Sequence, residues 1–110
     1  MKITSKDFER YFEDDETKKL SNEVAKIFKG TNFETIKVKV LKNKENYYQI
    51  NHFIPNFDIF DMKFHNLMGK AILEVFLEKG IKNVGQLDLI EEEAEYLFKN
   101  ELLIENANKG

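Results

Sequence analysis

The longest periodic stretch of the chain runs through residues 61–87, DMKFHNLMGKAILEVFLEKGIKNVGQL. Its apolar positions Phe64, Leu67, Met68, Ala71, Ile72, Val75 and Phe76 recur at i, i+3, i+4, the pattern of a core-facing helical stripe. Leu73 and Leu77 widen the stripe, so the spacing predicts a central helix over about 62–79, buried on more than one side. Asp61 stands at the N-cap position and Gly80 where a left-handed C-terminal turn places glycine. Ile81 then folds back in a Schellman-type contact.

Upstream, Thr4 or Ser5 can cap a short first helix whose apolar face is Phe8, Tyr11 and Phe12. Residues 13–19, EDDETKK, contain no apolar side chain, which predicts a break near Asp14 and Asp15. A second helix follows over about 16–29, with Leu20, Val24, Ile27 and Phe28 inward and Gly30 after it. From Phe33 the period changes to two. Ile36, Val38 and Val40 alternate with Lys37 and Lys39, a half-buried strand. The polar run 42–46 is a turn, and the β-rich run 47–54 returns as the second strand of an antiparallel hairpin. Its register puts Tyr48, Ile50, His52 and Ile54 on the core side. Tyr47, Gln49, Asn51 and Phe53 then share the outer side with Lys37 and Lys39. Pro55 ends the strand.

Beyond Gly80, residues 83–85 read as a turn, and Asp88 with Glu91 as a capping box for a last helix. That helix directs Ile90, Ala94, Leu97, Phe98 and Ile104 inward, and residues 106–110 fray. The expected fold is a single α+β domain over 1–110, in the order α-α-β-β-α-α, with the hairpin packed on a helical layer. Two strands alone are marginal, so the hairpin must lie on helices or gain a strand from a partner.

Composition narrows the function classes. Length fits one domain, and ten phenylalanines supply a core without staples. The absence of cysteine removes disulfides, thiolate zinc sites and a thiol nucleophile. The N-terminus lacks a signal-peptide apolar region and no apolar run approaches spanning length, so no membrane is expected and the default location is cytoplasmic. The net charge is −3, with +2 in residues 29–63 and −4 in residues 64–110. Arg10 is the single arginine, which ranks nucleic acid below protein as a partner, because guanidinium forks are the usual phosphate and guanine readers.

Five constellations carry candidate chemistry. His52, Asp58, Asp61 and His65 have ligand types suited to zinc, manganese or iron, but lack the paired-histidine helical spacing of metalloenzymes, so no metal and no cofactor are expected. The outer hairpin face, Lys37, Lys39, Tyr47, Gln49, Asn51 and Phe53, mixes aromatics with lysines as interface patches and single-strand platforms do, unless the first or last helix covers it. Residues 56–60 form an aromatic link that is an anchor if exposed and a plug if buried. The acidic runs Asp14, Asp15, Glu16 and Glu91, Glu92, Glu93 can meet a basic surface, or simply favour helix N-termini. Residues 80–87, GIKNVGQL, are similar to the glycine turn of helix-hairpin-helix DNA-binding domains, but the second glycine hairpin is missing and three glutamates follow. No glycine-rich phosphate loop or Ser/His/Asp arrangement is present, so no enzyme is expected.

The expected function is therefore a small acidic protein-binding module: an inhibitor or neutraliser such as a toxin-immunity protein, or a phage protein of anti-CRISPR type. Lysine-, asparagine- and isoleucine-rich usage accords with such a bacterial or phage origin. The alternatives are a nucleic-acid-binding regulator using the hairpin face, and an oligomeric component that completes its sheet across a two-fold axis as a dimer.

Overall fold

A computed structural model of the chain describes residues 11–55 and 61–99. The first described helix, α1 (Asp15–Phe28), begins inside the charged run, at the expected break near Asp14 and Asp15 and ahead of the first apolar residue of its stripe, Leu20. Asp14 caps it reciprocally: its carboxylate accepts from the Thr17 backbone N–H at 2.8 Å, and the Thr17 hydroxyl accepts from the Asp14 N–H at 2.8 Å. Thr17, Leu20, Val24 and Phe28 are its buried face.

Strands β1 (Lys37–Lys42) and β2 (Tyr48–Phe53) form the expected antiparallel hairpin, with Val40 opposite Ile50 and Lys39 opposite Asn51. Asn43 organises the turn. Its side-chain oxygen accepts from the N–H groups of Glu45 and Tyr47, and Asn46 takes the left-handed conformation at φ 63°. Tyr48, Ile50, His52 and Ile54 face the main core as the alternation predicts.

The central helix comprises α2 (Met62–Ala71), one wide π turn (Ile72–Phe76) and a tight 3-10 turn (Leu77–Lys79). Asp61 caps it, accepting from the Lys63 N–H at 2.7 Å. Gly80 closes it at φ 83°, and the Ile81 N–H reaches back to the Phe76 carbonyl at 3.0 Å, the Schellman contact. The wide turn carries Val75 and Phe76 into the core. Leu73 and Leu77, expected inside, are 51% and 42% exposed. The helix is thus buried along one side, packing on the sheet next to α1 rather than between layers.

Residues 83–85, expected as a turn, instead lead into a third strand, β3 (Val84–Asp88), parallel to β2 with Val84 opposite Tyr48 and Asp88 opposite His52. The strand the hairpin needed comes from the chain itself, and the likeness of residues 80–87 to a helix-hairpin-helix joint ends there. Leu89 and Ile90 lead into α3 (Glu91–Lys99). Its capping comes from Glu93, whose carboxylate accepts from the Ile90 N–H at 3.0 Å, rather than from Asp88. The order is α-β-β-α-β-α, a mixed α+β fold with the sheet ordered β1-β2-β3.

Two cores result, one on each face of the sheet. The larger joins α1, α2 and the inner sheet face around Phe28, Phe33, Phe64 and Phe76. The smaller is Leu41, Leu89, Ala94 and Leu97, with Tyr11, Phe53, Leu87, Tyr96 and Phe98 packed around it. Tyr11 and Phe12, expected on the face of a first helix, lie before α1. Phe12 makes an antiparallel bridge to Lys42. Residues 1–10, the aromatic link 56–60 and the tail lie outside the described residues.

Candidate protein-binding groove

α3 lies across the outer face of the hairpin and divides the residues predicted there. Lys39 and Asn51 are buried beneath it, 4% and 1% exposed. The Asn51 amide donates to the Lys39 carbonyl at 3.1 Å, and the Lys39 ammonium sits 5.6 Å from the centre of the Phe98 ring. Gln49 and Phe53 are half-buried, while Lys37 and Tyr47 are exposed. The six residues therefore do not form one open platform. Lys39 and Asn51 belong to the seat of α3.

What remains open is a groove of about 360 Å³ between the end of the hairpin and α3, lined by Lys37, Phe53, Pro55, Glu91, Ala94, Glu95 and Phe98. Phe53, Pro55, Ala94 and Phe98 supply apolar surface. Lys37 comes from β1, while Glu91 and Glu95 stand one helical turn apart on α3. The groove thus joins Lys37 and Phe53 of the hairpin set to Glu91 of the acidic set. Pro55, Ala94 and Phe98 were read from the sequence only as structural residues, and Glu95 was not named. The i, i+3, i+4, i+7 spacing of Glu91, Ala94, Glu95 and Phe98 was the available signal. Such a lining suits a long cationic side chain, with its stem along the rings and its head at the carboxylates.

The first acidic run is used by the fold. Lys42 Nζ lies 2.9 Å from Asp14 Oδ2 and 3.0 Å from Glu16 Oε1, and the Tyr48 hydroxyl donates to Glu16 at 2.7 Å. Burial pushes Asp14 up, but the Thr17 N–H and Lys42 outweigh it and hold the carboxyl below its ordinary value. Hydrogen bonds from Tyr48 and then Lys42 lower Glu16. Burial alone would lower Lys42, yet the two carboxylates push it up to about 12. Burial and Glu16 together raise the Tyr48 phenol. Asp15 is exposed beside this cluster. In the second run Glu93 is buried as a cap, whereas Glu91 and Glu92 are exposed.

A testable consequence concerns Lys42. Lys42→Met keeps much of the stem and removes the charge, and is expected to cost about 1–2 kcal/mol in urea unfolding. Asp14 and Glu16 stabilise the fold fully above their ordinary values of 3.8 and 4.5, and this is lost as pH falls through their lower folded values. Lys42 stabilises fully below 10.5 and loses that contribution as pH rises through about 12. The variant should therefore show a shallower decline at both extremes.

Among the described residues the two histidines stand in different settings. His52 is 1% exposed, in ring contact with Phe64, and its Nε2 lies 2.6 Å from Asp88 Oδ1 without the alignment of a hydrogen bond. Burial holds the imidazole below its ordinary value, against the pull of Asp88 and with the help of His65. Asp61 is a cap and His65 is exposed, while Asp58 lies outside the described residues. Among the described residues no group of three His, Asp or Glu side chains is placed to hold a metal. No helix among them is long and apolar enough to cross a membrane. Comparison with known protein families, with curated proteins and with solved structures finds no match for this chain.

Proposed function

We propose that this chain is a non-enzymatic protein-binding module that grips a basic segment of its partner in the groove between the hairpin and α3. One observation carries the reading: Lys37 and Phe53 of the hairpin meet Glu91 and Glu95 of α3 around a shared apolar floor. Interfaces concentrate binding energy in a well-packed, largely apolar centre within a polar rim, and complementary charge accelerates encounter. The net charge of −3 adds a favourable field for a basic partner. The biological role that fits is inhibition or neutralisation, as in a toxin-immunity protein or a phage protein acting against a host defence nuclease. The genomic counterpart is a toxin gene beside this one, or an early phage operon. The nucleic-acid reading has less support, because Lys39 and Asn51, two of the six residues it needed, are buried.

A peptide array of basic and acidic segments tests the reading. The chain should select lysine- or arginine-containing peptides with neighbouring apolar residues, and Glu91→Lys combined with Glu95→Lys should weaken the selected peptides by about tenfold or more. Indifference of the array to peptide charge, or equal binding by the double variant, overturns the proposal.

A further inference from the structure

The two edges of the sheet are finished differently. On the outer edge of β1, Phe12 exchanges both backbone hydrogen bonds with Lys42, at 2.8 and 3.0 Å, and the Val40 N–H donates to the Ser21 hydroxyl at 2.8 Å. That edge is covered by the chain's own backbone and by α1. On the other side, β3 bonds β2 in a parallel ladder bounded by Tyr48 N–H to the Asn83 carbonyl, 2.8 Å, and Leu89 N–H to the His52 carbonyl, 2.9 Å. A parallel ladder uses alternate residues, here Asn83, Gly85, Leu87 and Leu89. The N–H and C=O groups of Val84, Gln86 and Asp88 therefore point away from the sheet, and none has a hydrogen-bond partner among the described residues. Exposed edges are commonly blunted by lysine, proline or a bulge. Val84–Asp88, VGQLD, has no lysine or proline, and its register with β2 runs without a bulge.

We infer that the open edge of β3 pairs with the same edge of a second copy of this chain, antiparallel about a two-fold axis at Gly85, joining two three-stranded sheets into one of six. Self-complementary charge identifies the occupant and the register. With the axis at Gly85, Val84 lies opposite the partner's Gln86, and Lys82 lies opposite the partner's Asp88. Each copy contributes one cation and one anion to two symmetric cross-strand pairs. The two Gly85 residues meet on the axis, and space beside each is open, since an added Cβ would meet nothing within 4 Å. Moving the axis one residue to Gln86 would set Val84 against Asp88 and leave Lys82 facing Ile90, without charge pairing. None of the groove-lining residues lies on this edge, so the dimer and the binding groove are compatible.

The absence of native cysteine makes cross-linking a clean test. Gly85→Cys should form a covalent dimer under mild oxidation, while Gln86→Cys, opposite Val84, should not. Light scattering of the native chain should give twice 13.0 kDa at micromolar concentration. Gln86→Pro removes only an outward N–H, and should give a monomer with an unchanged circular dichroism spectrum. Lys82→Glu should weaken the dimer by about tenfold, and adding Asp88→Lys should restore it. A native mass of 13.0 kDa throughout, a dimer that survives Gln86→Pro, or cross-linking at Gln86 in place of Gly85 would each overturn the proposal. A monomer that nonetheless binds strand-forming peptides at this edge would assign it to a foreign strand instead.

Discussion

Phe64→Ala is expected to lower the free energy of unfolding by about 3–5 kcal/mol, the largest single effect in the chain. Phe64 is where three elements meet. Its ring stacks on Phe28 of α1 at 5.5 Å, meets Phe33 edge-on at 5.6 Å and contacts the imidazole of His52 on β2 at 5.3 Å. Truncation leaves a cavity bordered by three rings held by separate elements, so collapse around it is limited. It also enlarges the space beside His52, whose buried imidazole is favoured in its neutral form by these apolar neighbours. A domain's whole stability is about 5–15 kcal/mol, so the loss is a large fraction of it. Urea titration followed by circular dichroism measures the loss. A change below about 1 kcal/mol would mean that the three rings repack freely.

The second large effect is at Leu97, where Leu97→Ala should cost about 2–4 kcal/mol and act locally. The core that holds α3 is small: Leu41, Leu89, Ala94 and Leu97 are its buried members, and Leu97 is fully buried. Truncation removes a fully buried side chain that holds α3 in this core, whereas the core shared by α1 and α2 lies on the opposite face and is untouched. Amide exchange should therefore accelerate in α3 while protection in α1 and β2 persists. Binding to basic peptides should fall in parallel, because one wall of the groove is α3 itself. Uniform acceleration across all elements would show instead that the two cores unfold as one.

Much of the main core was legible in the chain. The stripe Leu20, Val24 and Phe28 marked α1, and strict alternation assigned Tyr48, Ile50, His52 and Ile54 to the inner face of β2. These patterns are local and repeat at a fixed period, so each residue supports its neighbour's assignment. β3 was not legible. Its apolar residues, Val84 and Leu87, serve different faces, Val84 packing against the larger core and Leu87 against the smaller. At three residues apart with a glycine between them, they imitate a turn. The exposure of Leu73 and Leu77 was hidden for another reason. Both are leucines, but on a 3.6-residue period they fall roughly opposite the centre of the stripe, so apolar character alone drew them inward. At the groove, Lys37, Phe53 and Glu91 were singled out for charge or aromatic character. Their grouping depended on α3 crossing the hairpin, which no local pattern encodes.

The mixed pairing of the sheet also orders its assembly in time. The antiparallel half closes across five residues between Lys42 and Tyr48, with Asn43 and Asn46 shaping the bend. The parallel half cannot form until roughly thirty residues between Phe53 and Val84, including all of the central helix, have been brought back across the sheet. Loop closure therefore favours the hairpin first and β3 last. Until β3 arrives, Tyr48, Ile50 and His52 of β2 present unpaired backbone along that side. The ribosome releases the hairpin before it releases β3, so a nascent chain carries this incomplete edge as a matter of sequence order.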